Sequence, residues 1–338
     1  MSASKNRPRW NELPGYVRRL VEGVIDGQVV AAENCPGGFS PGFASRLTLA
    51  DGRRAFAKAV DGDTWPSQLM MYRDEARVAA QLPPGIPAPR FLGSTDDGRW
   101  VVLAFECVDG REPARPWRHA DLARVVAAVG AMTAALTPSP IVVPRDQPRI
   151  GGWAMLAHDG LLAARLAGFS SWAADHLSLL AELEDVGLAA ARAGDSLVHF
   201  DALPHNVLLT ADSVLFVDWP HARLGAPCID MLMVLASAAA DGIDPEPVLA
   251  TQPLASQAAP RQLTAVLAAL TGFWLAGAVE DVPPGLEPIV AAKRALARGG
   301  LGWLRQRLSE PVEDPEPRRD GRVQLDCDDE PDARVGAG

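Results

Sequence analysis

Two rhythms of apolar and polar positions run along this chain, and the change from one to the other divides it. From Glu12 to Ile25, Tyr16, Val17, Leu20, Val21 and Val24 fall on one face of a short amphipathic helix. Gln28 to Ala32 reads as a strand, followed by a glycine-rich turn, Cys35-Pro-Gly-Gly-Phe-Ser-Pro-Gly42. Ser45 to Ala50 alternates with a period of two as far as a hairpin turn at Asp51-Gly52. Arg54 to Val60 is the returning strand, with Lys58 inside it. Ser67 to Leu82 has helical spacing and carries Glu75, and Pro83, Pro84, Pro87 and Pro89 then break the helix. Trp100 to Val108 is a further apolar strand, ended by Asp109-Gly110.

From His119 onward the rhythm is helical. Leu122 to Leu136, Leu161 to Leu166, Trp172 to Arg192, Met231 to Ala240, Leu263 to Val279 and Ile289 to Leu308 all carry apolar residues at helical spacing. One β element interrupts them: Asn206 to Thr210, a turn at Ala211-Asp212, and Val214 to Asp218. The pattern predicts an α+β chain of two lobes: a strand-rich lobe over residues 1–105, a hinge over 106–113 and a helix-rich lobe over 114–309. Residues 310–338 mix Pro and Gly with charge and have little apolar content, the composition of a disordered tail.

The helical half holds the densest chemistry. Leu197-Val-His-Phe-Asp-Ala-Leu-Pro-His-Asn206 carries His199, Asp201 and Asn206 in H-x-D-x-x-x-x-N spacing, and the next hairpin ends at Asp218. A hairpin turning at residue 212 pairs positions whose numbers sum to about 424, which sets Asn206 opposite Asp218. An amide oxygen beside a carboxylate is a hard donor pair suited to Mg²⁺, with phosphate oxygens completing its shell. Asp201, outside the pair, is placed to accept a proton from an attacking hydroxyl. Upstream, a turn containing Gly38, Ser40 and Gly42 lets the backbone approach phosphates closely. Lys58 can reach those phosphates as a point charge, and Glu75 can pair with Lys58 and hold it.

In this order, the motifs resemble the aminoglycoside phosphotransferase family, a protein-kinase-like branch that phosphorylates small molecules. The likeness runs from about Trp10 to Leu304. It is carried by GGFSPG at Gly37 to Gly42, FAKAV at Phe56 to Val60, Glu75, LAFECVDGR at Leu103 to Arg111, HFDALPHN at His199 to Asn206, VDW at Val217 to Trp219 and GAPCIDML at Gly225 to Leu232. The resemblance implies a protein-kinase-like two-lobed fold, with Phe105 at the back of an adenine pocket. The backbone of Glu106 and Val108 would bond the base, and Asp230 would begin a buried helix that braces the catalytic loop. Lys58, Glu75, Asn206, Asp218 and Asp201 would then serve ATP or GTP, Mg²⁺ and a small-molecule hydroxyl acceptor. Three departures sit in the loop: Phe200 stands where the family usually has Gly, and Leu203 and His205 replace the more usual His and Gly. Gly37-Gly38-Phe39 also lacks the third-position glycine of kinases. These changes alter the loop's shape and remove no catalytic group, so they bear on the substrate rather than on the reaction type. Only eleven residues separate Asp218 from Asp230, too few for a peptide-binding platform or a regulated phosphosite, so the acceptor is expected to be small.

Composition narrows the reading further. Apolar residues make up 48% and charged residues 22% of 338, an ordinary globular balance. Net charge is −10, and ten acids against four Arg after residue 309 account for −6 of it; neither a nucleic acid nor an anionic membrane is an expected partner. No protein partner is expected either. Cys35, Cys107, Cys228 and Cys327 form no C-x-x-C, which suits a reducing cytosol, and the start shows no apolar leader. Leu263 to Val279 is the most apolar stretch and reads as a buried core helix. The chain has 29 Arg but only three Lys, and after Asn34 its only Asn is Asn206, so Lys58 and Asn206 stand out as residues needed as themselves. His199 reads as a buried hydrogen-bonding residue that shapes the loop. The six His show no H-x-x-x-H pair, so zinc is not expected. For a polycationic acceptor the helical half offers Glu182, Glu184, Asp185, Asp241, Asp244, Glu280 and Asp281, and for a stacking one Trp153, Trp172 and Trp274. Two other readings remain: a nucleotide-binding pseudokinase, and a serine hydrolase with Gly38-Phe-Ser-Pro-Gly42 as nucleophile elbow.

Overall fold

A computed structural model of the chain describes residues 7–35, 41–143, 150–253, 258–282 and 287–309. Its first half is an antiparallel sheet of five strands: β1 Val29–Asn34, β2 Phe43–Leu49, β3 Arg54–Asp61, β4 Phe91–Asp96 and β5 Trp100–Glu106, in spatial order β1-β2-β3-β5-β4. Helix α1 (Gly15–Ile25) and helix α2 (Pro66–Ala79) lie on the two faces of the sheet. The period of two decides which side chain goes where. Ala55, Ala57 and Ala59 join Val17, Val21 and Ile25 in one buried cluster, whereas Val60 packs with Leu69 and Tyr72 of α2 in another. The alternation therefore puts Lys58 on the α2 side of the sheet.

The second half is mostly helical: α3 His119–Ala135, α4 Trp153–His158, α5 Gly160–Phe169, α6 Ser171–Asp175, α7 Leu177–Ala193, α8 Ile229–Ala240, α9 Glu246–Ala250, α10 Pro260–Val279 and α11 Glu287–Ser309. Two short ribbons interrupt it: β6 Ser196–Val198 with β9 Arg223–Gly225, and β7 Val207–Leu209 with β8 Val214–Phe216. The core gathers around α8, buried from Ile229 to Ala238, and α10, which packs against α7 and α11. Helix α10 is long and apolar enough to cross a membrane, and 83% of its most apolar window is buried inside the protein. Its hydropathy is that of a core helix covered on most of its surface.

The sequence reading differs from this fold in several places. Strand β4 follows the four prolines, its pattern blurred by Gly93 (φ +152°) and by polar residues at the sheet's edge. The stretch Trp172 to Arg192 is two helices, α6 and α7, broken at His176, whose Nδ1 bonds Trp172 O at 2.8 Å. Strands β6 and β9 are three residues each, too short for periodicity to reveal, and α4 and α9 were likewise hidden. In the second hairpin paired numbers sum to 423, not 424: Val207 faces Phe216 and Leu209 faces Val214. Thr210 and Ser213 close the turn between them, with Thr210 N–H donating to Ser213 O at 3.0 Å, which centres it half a residue earlier. Asn206 therefore lies opposite Val217, whose N–H donates to Asn206 O at 2.9 Å, and Asp218 is one step further on.

Candidate active site

Lys58 sits in the middle of the sheet, paired with Ala44 on β2 and Leu103 on β5, and is buried. On α2 the buried positions Leu69, Tyr72, Glu75 and Val78 recur every three residues, so helical periodicity turns Glu75 toward the sheet. Glu75 Oε2 meets Lys58 Nζ at 2.5 Å, and Asp218 Oδ1 accepts a second bond from the same ammonium. The Tyr72 and Phe105 rings lie 5.2 and 5.9 Å from Nζ, within cation–π range. Burial alone would lower the lysine's pKa; Asp218 and Glu75 outweigh it and hold it above its ordinary value. For Asp218 burial pulls upward, and the Lys58 ammonium wins and keeps the carboxylate ionised. Burial pushes the Glu75 carboxyl up to about 7 against the pull of Lys58. Asp218 has φ +61°, a left-handed turn that ends the hairpin's regular alternation.

The loop after β6 is tied down from several directions. Asp230, in the first turn of α8, accepts His199 N–H at 2.9 Å and Phe200 N–H at 3.0 Å, one on each carboxylate oxygen. Burial raises its carboxyl to about 7, while these two donors pull the other way. His199 is fully buried, its ring 4.6 Å from that of Trp219. A carbonyl can only accept, so the 3.0 Å contact between His199 Nε2 and Val217 O makes Nε2 the donor. Nδ1 is then the lone pair that receives Asp201 N–H at 3.2 Å. Burial drives the His199 pKa down to about 4, consistent with this neutral tautomer. Phe200 has φ +61°, which costs a residue with a side chain roughly 1–2 kcal/mol. The Asp230 bond holds it there, and its ring lies against Gly225, where a Cβ would come within 3.1 Å of it.

Asn206 is buried and donates through Nδ2 to Asp201 O at 3.0 Å and Asp201 Oδ2 at 2.7 Å. Those contacts fix which end is nitrogen and leave Oδ1 as its remaining acceptor. His205 Nε2 lies 3.7 Å from Asp201 Oδ2. Burial opposes its protonation, but Asp201, Asp218 and Glu112 outweigh this and raise its pKa.

The Lys58 cluster and His205 meet at a cavity of about 450 Å³ between the sheet and the helical half, whereas His199, Asp201, Asn206 and Asp230 are not in its lining. Ala44, Phe56 and Phe105 supply apolar wall, and Glu106, at the end of β5, lines it together with Cys107 and Val108 of the irregular segment that follows. Lys58, Glu75, Asp218 and His205 stand at the same cavity. Glu106 N–H is bound to Arg90 O at 2.9 Å, and its side chain accepts Arg90 N–H at 2.9 Å. Gly42 is buried where a Cβ would come within 2.4 Å of Ala59 O, so close strand approach alone requires glycine there. Gly38 and Ser40 lie outside the described residues. The chain around them runs from β1 into the antiparallel β2, not from a strand into a helix, so a nucleophile elbow has no frame here.

Sequence reasoning left Tyr72, Phe56, Cys35, Cys107 and Glu112 unmentioned as cavity residues. Tyr72 was within reach, three positions before Glu75 on the same helical face. The acceptor candidates sort themselves by burial. Trp153 and Trp274 are core, and Trp172 stacks on His176 at 4.6 Å. Glu184 is buried and accepts the backbone N–H groups of Gly152, Trp153 and Ala154. Asp241 holds Arg115 through both oxygens, Asp281 holds Arg165 at 2.8 Å, and Asp244 accepts Glu246 N–H at 3.1 Å. Glu182, Asp185 and Glu280 are exposed.

The sequence model described as APH, phosphotransferase enzyme family, matches residues 33–272. No curated protein matches the chain. Among solved structures, a thermostable mutant of aminoglycoside phosphotransferase APH(4)-Ia, in ternary complex with ADP and hygromycin B, is similar at TM-score 0.53 and 12% identity, over 86% of this chain and 98% of that one. A second variant of that enzyme, with AMP-PNP and hygromycin B, gives TM-score 0.50 and 14% identity over 86% of this chain and 100% of that one.

Proposed function

The chain belongs to the phosphotransferase enzyme family, and from that premise we propose that it moves the γ-phosphate of ATP or GTP, with Mg²⁺, to a hydroxyl group of a small molecule. The observation that carries this reading is the ion cluster Lys58, Glu75 and Asp218 at the wall of a 450 Å³ cavity that Ala44, Phe56 and Phe105 also line. A cation held between two carboxylates is kept charged and aimed, which suits a partner for α- and β-phosphates.

In this reading residues 1–105 hold the nucleotide, 106–113 are the hinge and 114–309 take the acceptor. Phe105, with the backbone of Glu106 and Val108, receives the base. Gly38, Ser40 and Gly42 belong to the turn over the phosphates, Lys58 touches the phosphates and Glu75 orients Lys58. The donor set fits Mg²⁺: Asn206 has only its amide oxygen left to offer and Asp218 is an ionised carboxylate, both hard ligands. Among the described residues no three His, Cys, Asp or Glu form a cage, and Mg²⁺ characteristically takes one or two protein oxygens plus phosphates and water. When bound, it neutralises charge on the phosphates. Asp201 positions the acceptor hydroxyl and takes its proton, while His199 and Asp230 hold the loop that presents Asp201.

The acceptor belongs to a class that includes aminoglycosides, as in the hygromycin B complexes of the relative, and other antibiotic-like molecules, sugars and amino alcohols. Of the seven acids that could meet a polycation, Glu184, Asp241, Asp244 and Asp281 are already engaged within the protein. The cysteine usage speaks for work in a reducing cytosol. The test is a coupled ADP-release screen with ATP and GTP across aminoglycosides, macrolides, amino alcohols and sugars. Release above the nucleotide-only rate with one class is expected. Nucleotide binding without release in any class would leave a pseudokinase, and no binding of either nucleotide at millimolar concentration would overturn the reading.

A further inference from the structure

Helix α2 is tied to the segment that starts at Asp218 through two consecutive residues. Glu75 reaches it through Lys58, whose ammonium it shares with Asp218. Its neighbour Asp74 presents Oδ2 to Arg223 Nη2 at 3.1 Å, across 149 positions of sequence. The other oxygen of Asp74 takes Arg77 at 2.6 Å. The Arg223 guanidinium is anchored before it reaches α2: Nη1 donates to Ala222 O at 2.8 Å and Pro220 O at 3.3 Å. Both side chains of the pair are largely covered, at 16% and 25% exposure, so the contact is less screened than a surface ion pair.

Arg223 also lies opposite Val198 in the β6–β9 ribbon, one residue before His199. One side chain thus joins the helix that carries Glu75 to the ribbon that feeds the Asp201 loop. The ten residues from 219 to 228, Trp-Pro-His-Ala-Arg-Leu-Gly-Ala-Pro-Cys, contain no Ser, Thr or Tyr, so no hydroxyl is there to carry a phosphate ester that would order the segment. A fixed cation can do that work without one.

We propose that Arg223 is a positioning residue: through Asp74 it clasps α2 to the segment after Asp218 and so keeps Glu75, Lys58 and Asp218 in one nucleotide-ready arrangement. The arrangement is built in and needs no modification to switch it on. This rests on the kinase reading given above, since it concerns the same nucleotide site.

The experiment is titration of MgADP and MgATP into the wild type, Asp74→Asn, Arg223→Gln, Arg223→Lys and the Asp74→Asn/Arg223→Gln double variant, with hydrogen–deuterium exchange over residues 66–79 of the nucleotide-free proteins. Each neutralising variant should weaken nucleotide binding about 3- to 10-fold, the effect of losing a partly covered ion pair. The double variant should lose less than the sum of the two singles, because the Asp74–Arg223 pair is lost in each of them. Arg223→Lys should recover part of the affinity, and exchange over 66–79 should rise in both singles. Melting temperatures of the free proteins should stay within about 4 °C of wild type, which separates positioning from general loss of fold. Should Arg223→Gln fail to fold, Asp74→Asn carries the test, as Asp74 is partly exposed. Wild-type affinity in Asp74→Asn, or additive losses in the double variant, overturns the clasp while leaving the kinase reading intact. A wild type that binds neither nucleotide overturns both.

Discussion

The two parts of the site are built by different means. Lys58, Glu75 and Asp218 come from a strand, a helix and a loop up to 160 positions apart, and only charge holds them together. The loop from His199 to Asn206 is held by neutral or backbone hydrogen bonds, from Asp230, Val217 and Asn206, all within the helical half. The first assembly exists only while the sheet and the helical half are together, since its cation comes from one and a carboxylate from the other. The second needs nothing from the sheet. On the function proposed above, nucleotide binding belongs to the first assembly and the acceptor's proton to the second, and the two are expected to be open to attack separately.

The sharpest way to break that separation is at Asp201. Asp201→Asn is nearly isosteric and still has an oxygen for the Asn206 amide. With Asp201 taking the proton as proposed, transfer to whichever acceptor the screen identifies should fall about 10²–10⁴-fold. MgATP should bind the variant almost as it binds the wild type. Turnover numbers and nucleotide titrations on the same preparation check this. Wild-type turnover would remove Asp201 from the mechanism, and a matching loss of nucleotide binding would show that the two assemblies are one.

The opposite cut is Lys58→Ala. Nucleotide at about 100 times its Kd should stabilise the wild type by ~2.7 kcal/mol, visible as a raised melting temperature. Lys58→Ala should lose most of that shift, measured against its own nucleotide-free melt because two carboxylates are left without their cation. Its loop is untouched, so the His199 ring should keep its buried, neutral state by NMR. A full nucleotide shift in Lys58→Ala would take away the role given to the ion cluster.

The same contrast explains what the sequence could disclose. The loop was legible because its groups lie within eight residues, close enough for spacing to speak, and the strand patterns around Lys58 put that residue inside a strand. Glu75 was legible as an acid on the helix that follows the Lys58 strand. Arg223 and Asp74 were not, because an ion pair 149 positions apart leaves no local pattern, and each alone is an ordinary charged residue. The Asn206–Asp218 register came out one residue off because pairing depends on where a four-residue turn closes, which the Thr210–Ser213 bonds decide. Strand β4 was missed because an edge strand faces solvent and loses its alternation.

The mildest cut concerns what neutrality does for the loop. His199 gives Nε2–H to Val217 O and takes Asp201 N–H on Nδ1, an arrangement available only to the uncharged ring. Its pKa is about 4 in the folded protein, from burial, against an ordinary value of 6.5. Between those values the unfolded chain binds a proton that the folded one refuses. The stability due to this group is complete above about pH 6.5 and drains as pH falls toward 4, by on the order of 2 kcal/mol at pH 5. Asp230 and Glu75 act in the reverse sense: both carboxyls are raised to about 7, so they favour folding as pH falls from 7 toward the ordinary carboxylate range. The net profile of the wild type is therefore not diagnostic, but its difference from His199→Gln is. Denaturant unfolding of both proteins at pH 7.5 and pH 5 should show the wild type losing more stability than the variant by roughly that amount. Equal losses would mean that the ring is not held neutral, and that the loop, like the Lys58 cluster, is held by charge.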